Sequence, residues 1–541
     1  MNYKSSLFAL LFAGMSLSAA AQTHAEGQEY YEAGQYDNAK ELLLRNHNNA
    51  ATDKGISYYY QGLIALQEGK ASEAAAFFNK GAEANPDYPY NYIGLGQISL
   101  ASGDAKVAEN NFKQAEGLDK KDAGIQIAIA RAYDAVDPAK YEKEITKYLD
   151  KARKKDIKSP EIYLFEGDRL ARAKEYGNAG AKYEMALSYD PNATAAYFKY
   201  ANLFAQVNPQ YGINMLKKLL QLNPNSALGQ RSLANAYYDQ NDYSNAVAEY
   251  GKYVKNPNHF KQDEDRYALL LFSNGDYQAG YDFATDLLAQ NPDNFTARRF
   301  QFMNACQIKS LEDKLLPMAE ELYARHQANP DKNRFAQIDY TLIADEMVKA
   351  KKAEEAVAVL KDGIATLPNA TNLYKQLAMT YVDANDMAGA CDAYAGYLEH
   401  SANPGYNDMI QGAVFAFYAG VQYKEDPAKS AEYYALAGQY ADKAAELYPA
   451  MYRPLKIKGD IEMQKDSKSA AAIDYYIKAI EKLESFDGDT SRFASDAKNM
   501  YNAVGNSYLD KKDAATAKRY FNGYLKYDPD NADYRKFVEG L

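Results

Sequence analysis

A small residue recurs at a fixed interval along this chain of 541 residues. Glycine or alanine stands 34 residues from its counterpart in three parts of the sequence: Gly62, Gly96 and Ala130; Gly167 and Ala201; Ala344 and Ala378. Repeats of this length cannot bury a hydrophobic face alone, so neighbouring repeats must stack on one another. The interval therefore constrains the chain to an array whose core runs from repeat to repeat.

Each copy combines the small residue with aromatic residues and a closing proline. In one stretch, Tyr58 and Gly62 are followed by Ala74, Phe78 and Asn85-Pro86. Large aromatic rings fill the groove between two helices, and small residues let the helices approach closely. Proline ends the second helix because it lacks an amide N–H and excludes its predecessor from the α region. The spacing predicts consecutive pairs of helices.

This pattern resembles the tetratricopeptide repeat, in which W-x2-L-G-x2-Y is followed by A-x3-F and then by proline. Tyrosine mostly stands where the family has tryptophan, in a chain with 50 Tyr and no Trp. The resemblance covers nearly all of the chain beyond its first residues. It implies an all-α fold, an α-solenoid in which antiparallel helix pairs stack into a right-handed superhelix.

Residues 22–541 are predicted to form one repeat array of about 13–14 helical pairs. The pattern frays at residues 306–334, where Pro317 interrupts a helical stretch. We expect an articulation there, although a lengthened helix or loop would explain the same irregularity. The last residues, 531–541, are expected to form a capping helix, because a terminal repeat needs a polar outer face.

The first 21 residues resemble a secretory signal peptide. Lys4 supplies a positive charge, residues 7–17 form an apolar run, and small residues end at Ala21, where cleavage is expected. The run is shorter than the ~20 residues of a membrane-spanning helix, and a retained anchor is the alternative. No integral membrane segment is expected after signal removal. The chain is thus predicted to be secreted across the inner membrane, into the periplasm or to the outer membrane.

Composition and motifs argue against several classes of function. The formal net charge of −11 opposes binding to nucleic acid. The five histidines and two cysteines show no metal-ligand spacing, and no phosphate-loop or nucleophile-elbow motif occurs. We therefore expect no enzyme activity, no metal and no cofactor. Cys306 and Cys391 lie more than two repeats apart, so a disulfide between them is not expected.

In the family that the chain resembles, the first helix of each pair lines a concave face that receives an extended peptide or a partner helix. This face predicts five partner-binding residues: Asn202, Arg231, Asn235, Tyr238 and Arg299. Arginine offers a planar fork to carboxylates, and asparagine can bond a peptide backbone. The set half-resembles the carboxylate clamp of some chaperone-binding members, but the lysine–asparagine pairing that opens such a clamp is missing. An ordinary solvated polar face is the alternative.

The function that these features favour is a non-catalytic scaffold or adaptor of the bacterial cell envelope. It would bind partner proteins or peptides on the concave face of the solenoid. The alternative is a soluble periplasmic protein that binds peptides or glycans, with aromatic residues lining the groove. A third hypothesis, an enzyme with a site between irregular repeats, requires a pocket with pKa-shifted groups that the sequence does not indicate.

Overall fold

The computed structural model describes residues 22–205 and 207–541. Within these ranges the chain forms 29 α-helices, two 3-10 turns and no strand. The all-α repeat fold predicted from the sequence is confirmed. The predicted signal peptide, residues 1–21, lies outside the described ranges. None of the described helices has the length and apolar character needed to cross a membrane.

Two compact units divide the chain between Gly280 and Tyr281. The first unit contains α1 (His24–Glu32), α2 (Tyr36–Asn46), α3 (Lys54–Gln67), α4 (Ala71–Ala84), α5 (Tyr90–Ala101), α6 (Ala105–Leu118), α7 (Ala123–Val136), α8 (Glu142–Lys155), α9 (Pro160–Arg172), α10 (Tyr176–Tyr189), α11 (Thr194–Phe204), α12 (Pro209–Leu222), α13 (Ala227–Asp239), α14 (Tyr243–Tyr253) and α15 (Gln262–Asn274). Helix α16 (Tyr277–Gln290) crosses the boundary.

The second unit continues the same succession of helices. It contains α17 (Phe295–Ala305), a 3-10 turn (Lys309–Leu311), α18 (Glu312–Ala328), α19 (Gln337–Lys349), α20 (Ala353–Thr366), α21 (Thr371–Asp383), α22 (Met387–His400), α23 (Tyr406–Gln422), α24 (Pro427–Leu447), α25 (Arg453–Lys465), α26 (Ala470–Glu484), a second 3-10 turn (Ser491–Phe493), α27 (Ala494–Asp510), α28 (Ala514–Leu525) and α29 (Ala532–Glu539).

Consecutive helices pack as antiparallel pairs joined by a tight turn, as α3 and α4 illustrate. Asp53 caps α3 by accepting a hydrogen bond from the backbone N–H of Ile56 at 3.1 Å. The turn to α4 passes through Gly69 with φ of +75°, a left-handed conformation that costs glycine little. Lys351 takes up the same conformation in the turn between α19 and α20, with φ of 60°. The backbone geometry of the turn is therefore kept even where the residue is not glycine.

In several pairs a glycine of the first helix lies directly against an aromatic ring of the second helix. A Cβ atom added to Gly62 would meet the ring of Phe78 at under 3.0 Å. The same holds for later pairs in both units: Gly96 with Phe112, Gly167 with Tyr183, Gly420 with Tyr434, Gly459 with Tyr476, and Gly505 with Phe521. The 34-residue pattern thus records a close approach of two helix backbones, which in these glycine-containing pairs leaves no room for a side chain on the first helix.

The same ring also joins one pair to the next. Phe78 contacts Gly94 on α5 as closely as it contacts Gly62 on α3, and the Phe78 side chain is fully buried. The ring is therefore enclosed by the first helices of two successive pairs. One aromatic residue sets both the spacing within a pair and the spacing between pairs.

Some second helices carry tyrosine in place of phenylalanine, and its hydroxyl then reaches the first helix. The hydroxyl of Tyr183 donates to Asp168 Oδ1 at 3.1 Å, and that of Tyr476 donates to Asp460 Oδ1 at 2.9 Å. Each acceptor is the residue that follows the small residue of the pair, Gly167 or Gly459. The buried phenol is satisfied by a polar residue on the first-helix face, as buried polar groups require.

The segment 306–334, for which the sequence predicts an articulation, lies inside the second unit. It forms the first 3-10 turn and α18, a 17-residue helix with Pro317 inside it. At the end of the chain, α29 packs on α28, with the rings of Phe521 and Phe537 5.3 Å apart and Val538 buried.

The contact between small and aromatic residues predicts a position-specific effect of added methyl groups. Gly62→Ala should destabilise the α3–α4 pair by about 1–3 kcal/mol, because the new Cβ overlaps the Phe78 ring. Gly117→Ala is the matched control, since a Cβ there meets no atom within 4 Å, and it should be neutral or stabilising by up to about 1 kcal/mol. Hydrogen–deuterium exchange of peptides from each helix measures both effects. Equal protection in the two variants would contradict the proposed packing.

Candidate partner-binding face

The first helices of the first unit form a closed succession. Helices α1, α3, α5, α7, α9 and α11 contact one another in turn, and α1 also contacts α11 and α13. The first helix pair therefore packs against the seventh pair, α13 and α14. The first-helix face, which is the surface formed by the first helix of each pair, turns inward in this unit. Nothing in the repeat pattern predicted this closure.

Polar contacts line the seam where the first pair meets α13 and the loop that follows α14. The hydroxyl of Ser226 donates to Glu29 Oε2 at 2.9 Å, and both side chains are buried. The Arg45 guanidinium donates to the backbone carbonyls of Asn258 and His259 at 3.1 and 3.0 Å. The seam is thus held by hydrogen bonds between residues about two hundred positions apart in the sequence.

Phe260 supplies the apolar centre of this seam. Its ring is fully buried and meets the ring of Tyr30 edge-on, with 5.4 Å between centroids. The guanidinium groups of Arg45 and Arg231 lie over it, at 5.7 and 5.2 Å from the ring centroid. Two cations on one ring combine apolar burial with cation–π attraction, so Phe260 connects the first pair to α13.

Two carboxyl groups of α1 are buried at the same seam. Burial raises the pKa of Glu26 to about 7. Burial, together with the nearby charge of Glu26, raises the pKa of Glu29 to about 8. Both groups favour the protonated form in the closed unit, because an ionised carboxylate is poorly solvated there.

Arg231, one of the predicted partner-binding residues, belongs to this seam. Its guanidinium donates to Asp263 from Nε at 2.7 Å and from Nη2 at 3.2 Å, and its Nη1 donates to Gln35 at 3.2 Å. The side chain is 16% exposed. The structure therefore gives Arg231 three intramolecular hydrogen bonds, while its predicted role toward a partner stays a prediction.

The other predicted residues of the first unit lie on neighbouring helices. Asn235 accepts hydrogen bonds from the hydroxyl of Tyr250 and from Arg266. The ring of Tyr238 packs against Tyr243 at 5.8 Å. Asn202 is exposed on α11. The structure brings Arg231, Asn235 and Tyr238 together on α13, with Asn202 on the preceding first helix.

Arg299 lies in the second unit and repeats the arrangement of Arg231. Its Nε donates to Asp339 Oδ1 at 3.0 Å, and Asp339 accepts the backbone N–H of Ala336 at 2.7 Å. Lys375 likewise pairs with Asp408 at 3.2 Å, and Asp408 accepts the backbone N–H of Gly405. In each case a cation on one first helix binds an aspartate at the start of the next. This device fixes the stacking of first helices, and two of its cations, Arg231 and Arg299, are residues predicted from the sequence to bind a partner.

The second unit presents exposed apolar side chains on three consecutive first helices. Ile338 on α19, Met379 on α21 and Tyr418 on α23 are 38%, 52% and 50% exposed. Hydrogen bonds connect these helices: Gln376 Nε2 donates to Asp345 at 2.7 Å, and Lys375 Nζ donates to Asp408 at 3.2 Å. Sequence reasoning missed the three apolar residues, although Ile338 lies six residues before the small residue Ala344 and Met379 lies one residue after Ala378.

Metal-ligand clusters and thiols are the features of the described residues that bear most directly on catalytic chemistry. In the ranges 22–205 and 207–541, no group of three or more His, Cys, Asp or Glu side chains is placed to hold a metal ion. Cys306 and Cys391 are free thiols, and burial raises the pKa of each to about 12. Neither thiol is ionised at neutral pH, so neither is an activated nucleophile.

Residues 24–89 match the family model of the tetratricopeptide repeat. This stretch covers the first two helix pairs, α1 to α4, and ends at the residue before α5. The same contact between a small residue and an aromatic ring recurs as far as Gly505 and Phe521. The family model therefore places tetratricopeptide repeats at residues 24–89, and the same packing contact continues in the later helix pairs.

Several solved structures resemble the chain at low identity. The C-terminal part of a TPR repeat-containing protein from Cytophaga hutchinsonii is 14% identical with a TM-score of 0.39, covering 50% of this chain and 98% of that one. PilF from Pseudomonas aeruginosa is 16% identical with a TM-score of 0.24, covering 46% and 96%. PilW, a type IV pilus biogenesis factor, is 19% identical with a TM-score of 0.28, covering 39% and 96%. No curated protein matches the chain.

The buried carboxyls predict that closure of the first unit weakens as pH rises. An open or unfolded state releases these protons near pH 4.5, the ordinary pKa, whereas the closed state keeps them until about pH 7 to 8. The closed state is therefore favoured at low pH and loses stability progressively between these values. Hydrogen exchange of α1 and α13, corrected for intrinsic rates, should show protection that falls from pH 5 to pH 9.

Variants at one seam carboxyl and at one surface carboxyl test this assignment. Glu29→Gln keeps an acceptor for Ser226 but removes the titration, so it should flatten the pH dependence. Glu109→Gln changes the same charge at an exposed position on α6 and should leave the dependence intact. If the protection of α1 and α13 in Glu29→Gln fell with rising pH as steeply as in the unmodified chain, the seam carboxyls would not control closure.

Proposed function

We propose that this protein is a non-catalytic scaffold or adaptor that binds partner proteins or peptides on its first-helix face. The proposal rests on one observation, the exposed row of Ile338, Met379 and Tyr418 in the second unit. Exposed apolar side chains on successive elements of a stable scaffold are typical of protein-binding surfaces. Fold alone does not determine the partner, so the argument depends on this row.

The polar surroundings of the row suit an extended peptide or a partner helix. Lys375 and Gln376 border Met379 on α21, and Gln411 and Asn407 precede Tyr418 on α23 by about two and about three helical turns. Apolar residues supply anchors, and amide side chains can donate to and accept from a peptide backbone. An interface of this kind has apolar anchors with a polar rim, as protein partners require.

The location in the bacterial cell envelope is part of the same proposal. It rests on the signal-like first 21 residues, with a positive residue, a short apolar run and small residues before Gln22. Protein purified from the producing cells should begin at Gln22 by N-terminal sequencing and should fractionate with the periplasm or outer membrane. Protein that begins at Met1 and fractionates with the cytoplasm would contradict this part of the proposal.

A double variant tests the partner-binding row directly. The double variant Met379→Glu, Tyr418→Glu replaces two apolar anchors by charged side chains, which would lose their hydration on binding. After cross-linking, the amount of partner protein captured with the tagged chain should therefore fall about tenfold or more. Both residues are exposed, and helical content by circular dichroism should not change. Mass spectrometry of the captured proteins gives the measurement.

Leu447→Glu is the matched control for this experiment. Leu447 is 48% exposed on α24, a second helix of the same unit, and should not contribute to the first-helix face. Its capture profile should match that of the unmodified chain. If the unmodified chain and both variants captured the same proteins in the same amounts, the row of Ile338, Met379 and Tyr418 would not be the binding surface.

A further inference from the structure

Three second helices of the first unit end in exposed apolar side chains. Leu118 and Tyr189 are the last residues of α6 and α10, and Ile157 lies in the loop directly after α8. All three are exposed, and Ile157 most of all, with 58% of its surface accessible to solvent. Single exposed apolar residues are ordinary, whereas their recurrence at the same end of three successive helix pairs indicates a contact surface.

Direct contacts connect these helix ends. The Lys155 ammonium donates to the backbone carbonyl of Lys120, which joins the loop after α8 to the loop after α6. The hydroxyl of Tyr163 donates to the backbone carbonyl of Ile157 at 2.8 Å. The ring of Tyr163 stacks on that of Tyr189, with 5.1 Å between the centroids. The ends of α6, α8 and α10 therefore form one continuous edge of the repeat stack.

This edge is basic, in a chain whose formal net charge is −11. Residues 118–122 and 154–158 carry five lysines and three aspartates. The lysines are all exposed: Lys120, Lys121, Lys154, Lys155 and Lys158. Within the part of the chain that the structure describes, none of these five ammonium groups forms an ion pair with a carboxylate.

The aspartates of the two loops bind the backbone instead of the lysines. Asp119 accepts the N–H of Lys121 at 2.9 Å, and Asp156 accepts the N–H of Lys158 at 2.9 Å. Asp122 caps α7 by accepting the N–H of Gly124 at 2.7 Å. These carboxylates are turned toward their own loops, so the ammonium groups are the charges that the edge presents to a partner.

We propose that the edge binds the surface of an anionic lipid bilayer through its apolar residues and its five lysines; this lysine edge consists of Leu118, Lys120, Lys121, Lys154, Lys155, Ile157, Lys158 and Tyr189. Ammonium groups attract anionic headgroups, and apolar side chains enter the boundary between headgroups and acyl chains. Tyrosine suits that boundary, because its ring is apolar and its hydroxyl is polar. Salt at physiological strength screens the remaining negative charge of the chain beyond about 8 Å.

The mixture of charged and apolar residues favours a bilayer over an acidic protein. Lys155 and Lys158 lie on either side of Ile157 in the sequence. A packed protein interface around Ile157 would bury both lysines, and lysine is depleted from the cores of such interfaces. At a bilayer, the long lysine stems keep their ammonium groups hydrated among the headgroups while Ile157 enters below them.

Sedimentation with lipid vesicles tests the proposal on the chain as purified from the producing cells. The chain should bind vesicles of phosphatidylglycerol and phosphatidylcholine in equal parts much more tightly than vesicles of phosphatidylcholine alone. Each lysine near an anionic surface contributes about fivefold to the affinity. The triple variant Lys154→Gln, Lys155→Gln, Lys158→Gln should therefore bind the anionic vesicles on the order of a hundredfold more weakly.

A second triple variant, Lys106→Gln, Lys143→Gln, Lys147→Gln, is the matched control. It removes the same charge from exposed positions in the first halves of α6 and α8. Lys147 precedes Ile157 by about 15 Å of helix, beyond the range of unscreened attraction. The control should bind the anionic vesicles as the unmodified chain does. Every variant carries the same N-terminus, and helical content by circular dichroism should be the same in all.

The chain contains no tryptophan, so a single introduced tryptophan reports on its own surroundings. In Ile157→Trp, the emission should shift to shorter wavelength with anionic vesicles and should be quenched when the phosphatidylglycerol is brominated on its acyl chains. Val107→Trp is the control, since Val107 is also exposed but lies in the first turn of α6. Its emission should not respond to either kind of vesicle.

Four results would overturn the proposal. These are equal affinity for anionic and neutral vesicles, equal binding by the two triple variants, no quenching of Ile157→Trp, and equal quenching of both tryptophan variants. Binding of a polyglutamate peptide that the first triple variant loses, without binding of anionic vesicles, would also overturn it and would assign the edge to an acidic protein. The lysine edge lies in the first unit, so its failure leaves the proposed row of Ile338, Met379 and Tyr418 unaffected.

Discussion

The enclosed ring of Phe78 shows the contact on which the whole array depends. Gly62 of its own pair and Gly94 of the next pair lie against the same ring. Because neither glycine has a side chain, both backbones approach the aromatic face, and each helix pair covers a ring that it could not bury alone. Contacts between a glycine and a ring recur within later pairs. They bury the aromatic rings inside the array and leave the outer surface of the first helices available for other purposes.

The surface formed by the first helices serves a different purpose in the first unit than in the second. Closure of α1 onto α11 and α13 turns the face inward and covers it with tyrosines, carboxylates and paired cations. The seam differs in chemistry from the stack, since hydrogen bonds of Arg45, Ser226 and Glu29 replace the contact between a ring and a glycine. Hydrogen bonds contribute modest net stability, and buried carboxyls make that contribution depend on proton concentration.

The helix pairs could be predicted because their signals are local and periodic. Gly62, Phe78 and the Asn85-Pro86 step each have one physical role within 34 residues, and the structure places each in that role. Closure could not be predicted, because the contact of Arg45 with Asn258 spans more than two hundred residues and has no counterpart in the repeat. Position within a repeat also does not determine exposure.

The candidate site shows the same limit. Leu228 and Ile338 both precede their small residue by six positions, yet Leu228 is fully buried in the core cluster that also contains Tyr30, while Ile338 is exposed. Arg231 and Arg299 were correctly placed on first helices, but residue type alone did not reveal Asp263 and Asp339 as their acceptors. An aspartate near the start of the following first helix was the available signal for both pairs.

The tyrosine hydroxyls make the residue on the first-helix surface depend on the aromatic residue buried inside the pair. Where the enclosed ring is Phe78 or Phe112, the residue after the glycine, Leu63 or Gln97, has no phenol to satisfy. Where the ring is Tyr183, Asp168 must remain an acceptor, since its loss would strand a buried hydroxyl. Tolerance to substitution is therefore uneven: pairs built on Phe78 or Phe112 can vary this surface residue alone, whereas the pairs built on Tyr183 and Tyr476 must change an inner and an outer residue together.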